Sequence, residues 1–447
     1  MVNYSIIQKS QLEGGLRLDA EYYQPEYLEL VENLNNLGAV SIRNVATNPK
    51  RKFKPQKDKI FQYIEISEVD LLTGEYNKRE ILGEDAPDRA QWIVRQNDVI
   101  TSTVRPIRSA TSLIREDVQN LVCSSGFAVL KTEKVEPEYL FVYLKSRPIV
   151  KLLDRKTTAT MYPAVTIDDI LNTKIYLGGE KVRAEIKNQV IESQNELENA
   201  KKLYSQAENL LLEELGLKNF EQDETLSYIV NLSEVKSAHR ADAEYFQPKY
   251  DKLVEKVKNK NAKMLGEIVS MKKGIEPGAE VYQDEGRLFI RVSSLSKYGI
   301  EDKNQKYLSE ELYQKLKNNH EPKVGEILLT KDATPGIAYV VKGQIEGIIS
   351  SGTLRLKVKE KEIENEYLAL CLNSVVGQMQ AERDGGGSII THWRPELIKS
   401  VLIPVLSKST QQKIADLVQK SHEARSKAKQ LLAQAKHKVE QLIESKK

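Results

Sequence analysis

Cysteine is nearly absent from this chain: two residues among 447, Cys123 and Cys371, far apart and never in a CxxC spacing. That excludes a cysteine-built zinc site and suggests a reducing compartment. Histidine is scarce too, and no two of the five (His239, His320, His392, His422, His437) stand at metal-ligand spacing. His422 and His437 are read as lying on the solvated face of a terminal helix. No apolar run reaches membrane-spanning length, and no charged-then-apolar leader opens the chain, so a cytoplasmic protein without a membrane partner is expected. One-sided charge is missing as well. The net charge is +3 although 29% of residues are charged. Any nucleic-acid affinity must therefore come from local clusters.

The signatures of catalysis are equally missing. There is no GxxxxGK[ST] phosphate loop, no GxGxxG after a strand and no GxSxG elbow. A methyltransferase needs a cofactor-binding glycine turn and an Asn/Asp-Pro-Pro-aromatic motif, and neither occurs. The pair Asp168-Asp169 reads as helix-start charge, and triplets such as Glu185-Ile186-Lys187 are expected by chance in so charged a chain. No catalytic residue, metal ligand or cofactor of its own is assigned to this chain.

What is present is a repeat. The length suits two to four domains, and a 40% hydrophobic content suits packed cores. RLDAEYYQPEYLELVE, Arg17 to Glu32, returns as RADAEYFQPKYDKLVE, Arg240 to Glu255, with eleven identities in sixteen positions. Pro25 and Pro248 each precede an apolar-periodic run, and Gly38 follows the first, which marks a short helix. The match continues more faintly. NLVCSSGFAVLKTEKVEPEYLFVYLKS answers GIISSGTLRLKVKEKEIENEYLALCLNS, each read as strands around Ser-Ser-Gly followed by a short helix. NDVITSTV and GEILLTKD read as buried strands entering a loop. Twenty tyrosines against seven phenylalanines tilt the chain toward amphipathic aromatics.

Each module precedes a long helical stretch. Ile186, Val190, Ser193, Leu197, Ala200, Tyr204, Ala207 and Leu211 step by three and four. Ile414, Val418, Ser421, Arg425, Ala428, Leu432, Ala435, Val439 and Leu442 repeat the phase. This is a coiled-coil seam whose small residues permit close approach. The predicted architecture is α+β: a first mixed α/β module over 1–178, a long helix over 179–217, a second module over 218–406 and a second long helix over 407–447.

The basic clusters point to a duplex. NPKRKFKPQKDK carries Lys50, Arg51, Lys52 and Lys54. TSTVRPIRSAT carries Arg105 and Arg108, and Arg155 and Lys156 lead into a Thr-rich loop. The second module offers Lys272, Lys273 and Lys331. It also carries AERDGGGSIITHWRP, where Arg383, Gly386, His392 and Arg394 surround the glycines. Lysine and arginine neutralise phosphates, glycine amides approach phosphate oxygens closely, and arginine bridges guanine edges.

With its paired openings, its NDVITST and GEILLTK strand-turns, and its returns TIDDILNTKIYL and ELIKSVLIPVL before each helix, the chain resembles the DNA specificity (S) subunits of type I restriction–modification systems. The resemblance covers almost the whole chain and rests on the duplicated module–helix order. It implies two target recognition domains joined by helical spacers that pack antiparallel, giving a pseudo-two-fold repeat. It also implies a non-catalytic subunit that reads a bipartite, asymmetric double-stranded DNA target, one half-site per module. Two adenine-methylating modification subunits and a translocating restriction subunit would dock on it. S-adenosylmethionine, ATP and Mg2+ belong to those partners. The competing reading is a protein-interaction scaffold with duplicated modules that does not bind DNA.

Overall fold

The structure, a computed structural model, describes residues 4–12, 17–157, 161–218, 220, 227–301, 305–385 and 391–444. Gly386 lies outside them. The chain divides into two compact units, residues 1–197 with 426–447 and residues 198–425, so both long helices contribute to each.

In the first unit the repeated opening forms the short turn Ala20–Tyr23 and the helix Pro25–Asn36, with proline at the first helical position. A four-stranded antiparallel sheet follows in the order 46–47, 127–132, 98–102, 111–113. Its strand Asp98–Ser102 is buried throughout, with polar side chains paired inside, Asp98 to Arg51 and Thr101 to Thr111. A second sheet runs 79–82, 60–64, 121–124, 90–93, with one parallel pairing, between 60–64 and 121–124. The strands flanking Ser124-Ser125-Gly126 do not pair with each other. Leu121–Ser124 belongs to one sheet and Phe127–Thr132 to the other, so this turn carries the chain between them. A Cβ on Gly126 would stand 2.6 Å from the tip of the Ile66 side chain, which would have to turn aside. The helices Pro137–Lys145 and Arg147–Arg155 cover the first sheet.

The second unit repeats this order from different residues. Helix Pro248–Lys258 opens it, and the four-stranded antiparallel sheet runs 269–273, 353–358, 327–330, 338–340. A smaller sheet, 306–308, 287–290, 347–349, again has one parallel pairing. Helices Asn365–Asn373 and Val375–Asp384 take the places of their counterparts. Even the polar anchors recur: Tyr139 donates its hydroxyl to the Tyr176 carbonyl at 2.6 Å, and Tyr367 to that of Pro404 at 2.7 Å.

The long helices are Glu180–Leu215 and Lys408–Glu444. Within the first unit they run antiparallel, since Glu185 pairs with Lys438, Gln189 with Gln434 and Glu196 with Lys427. Ile186, Val190, Leu432 and Val439 are buried in that unit's core. Tyr204, Leu211, Ile414 and Val418 are buried in the other, and Leu197 is buried as well. Small residues at Ala200, Ala207, Ala428 and Ala435 let the backbones approach. The two seam serines use that proximity: Ser193 Oγ donates to the Ala428 carbonyl at 2.8 Å in the first unit, and Ser421 Oγ to that of Ala200 at 2.6 Å in the second. One seam position shifts. Leu442 is only half-buried, against Gly178, and Ile443 takes the core place, because the last step of the stripe is four residues rather than three. The first helix ends at Gly216, whose left-handed φ of 66° lets the Leu217 amide reach back to the Leu212 carbonyl. Leu211 is fully buried, so Leu211→Ala is expected to destabilise the second unit by about 2–5 kcal/mol in urea unfolding.

Candidate nucleic-acid interface

The repeated openings build the same clasp twice. Arg17 grips Asp19 with two hydrogen bonds, 2.8 and 2.6 Å, and lies 4.4 Å from the centre of the Tyr22 ring. The same ring receives Arg155 at 3.9 Å. In the second unit Arg240 grips Asp242 at 2.8 and 2.5 Å and lies 4.7 Å from the Tyr245 ring, which also receives Arg383 at 4.6 Å. The paired guanidinium holds each aspartate carboxyl below its usual range. Each clasp therefore ties the opening to the last residues of the second covering helix.

Those helices support a loop. In the first unit the chain leaves strand 98–102 through Arg105 and re-enters at Ser109, both in left-handed backbone at φ 49° and 54°, around the short turn Pro106–Arg108. Pro106 is buried against helix 147–155. A second segment pairs with this turn. The Arg105 amide donates to the Pro163 carbonyl at 2.7 Å, the Val165 amide to that of Thr103 at 2.9 Å, and the Arg105 guanidinium lies 5.5 Å from the Tyr162 ring. Arg108 is exposed.

The second unit makes the same double loop with other side chains. The Ala333 amide donates to the Thr391 carbonyl at 2.9 Å, and the Trp393 amide to that of Lys331 at 2.8 Å. Asp332 takes Lys331 Nζ at 2.6 Å and His392 Nδ1 at 2.8 Å. Lys272 and Lys273, both exposed, finish the edge strand at the end from which this loop leaves, and Arg394 is exposed just beyond His392.

Residues 257–437 match the profile of the family described as the type I restriction modification DNA specificity domain. That stretch of the chain is similar to this family. The type I restriction enzyme HindI specificity subunit of Haemophilus influenzae is 24% identical over 127 residues, 27% of this chain and 28% of that relative, so the alignment spans little more than a quarter of the relative's length. Among solved structures, one of a type I R-M system aligns at 20% identity over 91% of this chain and 97% of its own, with a TM-score of 0.35. The HsdS subunit from Thermoanaerobacter tengcongensis gives 20%, 91%, 96% and 0.34. The S subunit of a type I system from M. genitalium gives 15%, 92%, 96% and 0.41. The profile match over residues 257–437 supports the specificity-subunit resemblance read from the sequence.

The basic residues singled out in the sequence fall into separate groups. Arg105 and Arg108 reach the first double loop, and Lys272, Lys273, Lys331, His392 and Arg394 the second. Lys50, Arg51, Lys52 and Lys54 do not. They run along strand 90–93, where the Phe53 amide bonds to Gln91 and the Ile93 amide to Arg51. Arg51 pairs with Asp98 at the start of the strand whose other end carries Arg105, about 13 Å away at 3.3 Å per residue. There Arg51, Arg95 and Lys131 line an open pocket of about 530 Å³, and burial pushes the Asp98 carboxyl up despite its basic neighbours.

Five expectations are corrected. Arg155 is only 8% exposed, and its guanidinium lies against Tyr22, Tyr23 and Tyr27, so it serves the clasp and not a phosphate. Arg383 does the same beside Tyr245 and pairs with Asp251 at 3.2 Å. His422 is not solvated: Tyr298 and Tyr339 flank it, and Glu366 stands 4.0 Å away. Lys156 is half-buried and donates to the Asp169 carbonyl at 3.2 Å. Lys331 is also 8% exposed and is committed to Asp332.

Sequence reading missed Lys145, which is buried under the first double loop. Its Nζ donates to the Leu71 carbonyl at 2.8 Å and to that of Ser109 at 3.4 Å. Asn373 holds the corresponding place in the second unit, exchanging two hydrogen bonds with the Ala338 backbone. Burial lowers the Lys145 pKa from 10.5 to about 8, with Asp70 opposing and Lys436 assisting. Between those values the unfolded lysine keeps a proton that the folded one has released, so the lysine's contribution to stability becomes more favourable as pH rises. Urea unfolding of the protein and of Lys145→Met at pH 8 and at pH 10 should show the difference between them moving in favour of the lysine at the higher pH.

Proposed function

We propose that this chain is the DNA-reading, non-catalytic specificity subunit of a type I restriction–modification complex in the cytoplasm. Each unit takes one half-site of a bipartite double-stranded target. The observation that carries this reading is the double loop at the end of each four-stranded sheet, built twice from the same strand order. The frame is shared and the side chains differ, as two readers of unlike half-sites require. Arg105 and Arg108 in the first unit, and Lys272, Lys273 and Arg394 in the second, are the groups placed to meet phosphates and base edges, with His392, whose Nδ1 is held by Asp332, beside them.

Two features support docking of partner subunits. The segment before each opening carries exposed apolar side chains, Tyr4 and Ile6 in one unit and Ile229 and Leu232 in the other, and Leu18 is exposed within the first opening itself. Such surface at matched places suits two copies of one partner, here the adenine-methylating modification subunits. A restriction subunit completes the assembly, and S-adenosylmethionine, ATP and Mg2+ reside on those partners. The exposed segments also suit the competing reading, a scaffold that binds only proteins. A gel shift on random duplex at low salt separates the two, since the scaffold retards nothing.

Binding is expected to weaken steeply with salt, and Arg108→Gln to lower the salt slope by about one, measured by filter binding between 50 and 200 mM salt. We assign the gap between half-sites to the length of the paired helices. Inserting seven residues at facing positions of both adds about 10 Å, close to three base pairs. Methylation profiling of a host carrying that variant should report the same two half-sites three base pairs further apart. An unchanged gap would remove the helices from this role.

A further inference from the structure

The two double loops differ in one physical respect. In the first, Ile107 is 55% exposed, Met161 78% and Tyr162 66%. Three large apolar or amphipathic side chains thus project beside two arginines, and no carboxylate occurs between Thr101 and Ile114 or between Arg155 and Ile167. In the second, Trp393 is turned inward, Lys331 is neutralised by Asp332, and the described residues at the tip show Ala333, Thr334 and His392 to solvent. No large apolar side chain is exposed there among the described residues.

Exposed apolar groups on a cationic tip have no use for phosphate oxygens. They gain from the faces of bases, which are reached only where a step is partly unstacked, and pyrimidine–purine steps unstack at least cost. A wedge also needs a stiff backing. This tip has one: buried Pro106, Lys145 beneath the Ser109 carbonyl, and the backbone bonds from Arg105 to Pro163 and from Val165 to Thr103. Arg105 and Arg108 stand where they can hold the flanking phosphates while the apolar groups enter.

Building on the DNA-reading function proposed above, we propose that Ile107, Met161 and Tyr162 form a wedge that unstacks one base step in the first unit's half-site. The second unit reads its half-site without unstacking. The first half-site therefore contains a deformable pyrimidine–purine step at the wedge, and its sequence preference there follows stacking energy more than hydrogen-bond pattern.

The test uses the full chain with duplexes carrying both half-sites, defined by selection from random DNA, and a single 2-aminopurine placed in turn at each position. Fluorescence should rise at one step of the first half-site and nowhere in the second. The variant Ile107→Ala/Met161→Ala/Tyr162→Ala should lose that rise and bind about 10- to 100-fold more weakly to the first half-site, while keeping salt-dependent binding to the second. Tyr162→Phe should retain the rise, because the ring and not the hydroxyl does the stacking. Tight binding to both half-sites with no rise at any position overturns the wedge, and so does a triple variant whose affinity for the first half-site is unchanged. Such a surface would then belong to a protein partner. Failure of the chain to select any sequence, or to bind any duplex at low salt, instead removes the DNA-reading function on which the wedge rests.

Discussion

Stacking an arginine on each face of a tyrosine is the interaction from which the rest of each unit hangs. A guanidinium is planar and weakly hydrated, so it can be buried against a ring where an ammonium would lose too much solvation. A desolvated contact of this kind is worth on the order of 2 kcal/mol. In Arg155 the ring faces carry much of the compensation, because its Nε and Nη2 meet no hydrogen-bond acceptor among the described residues. The stack joins two pieces distant in sequence: the opening, which supplies an arginine and the tyrosine, and the end of the second covering helix. That helix underlies the double loop in each unit, through Pro106 in one and through Gln378, which donates to the Gly336 carbonyl at 2.9 Å, in the other. Loosening the stack would loosen the floor of the loop.

The seam imposes a complementary constraint. Alanine and serine at facing positions bring two long helices close enough for a serine hydroxyl on one to reach a backbone carbonyl on the other. A larger residue at Ala200 or Ala428 would push that carbonyl out of reach and leave a buried hydroxyl unpaired, at a cost of about 1–3 kcal/mol. Because one such bond lies in each unit, neither helix can slide along the other without breaking both.

The frame was legible from sequence because it obeys periodic rules. Prolines at helix starts and the three–four stripe each state a local rule, and the repeat states both twice. The site was half legible. Arg105 and Arg108 were singled out because they follow a strand and bracket a proline, and the fold places both at the double loop. Arg155 and Arg383 were misread because a cation in a loop-flanking run looks solvated until the aromatic that covers it, more than a hundred residues earlier, is brought alongside. A signal did exist. Each arginine stands ten residues after Lys145 or its counterpart Asn373, a register that only a structural role would keep. The run from Lys50 to Lys54 was misleading in the opposite way. Its density reads as one patch, but the chain leaves the sheet after Thr47 at the far end of the strand from Arg105, whereas its counterpart in the second unit continues to Lys273 and reaches the loop.

That divergence shows where change can accumulate. A substitution at Tyr22, Ser193 or Tyr139 would leave a buried polar or cationic group without its partner, so the frame tolerates little. The tips face solvent and rest on backbone-to-backbone bonds, which are indifferent to the side chains above them. Arg105 and Ser109 in left-handed backbone on one side, and Ala333 and Gly336 on the other, reach comparable bends with unrelated residues. Non-glycine residues held at positive φ persist only where the surroundings over-determine them, and here the covering helix and the second segment do so from both sides. Two units can therefore share one scaffold and present different chemistry, because the forces that position the tips are separate from the groups the tips present.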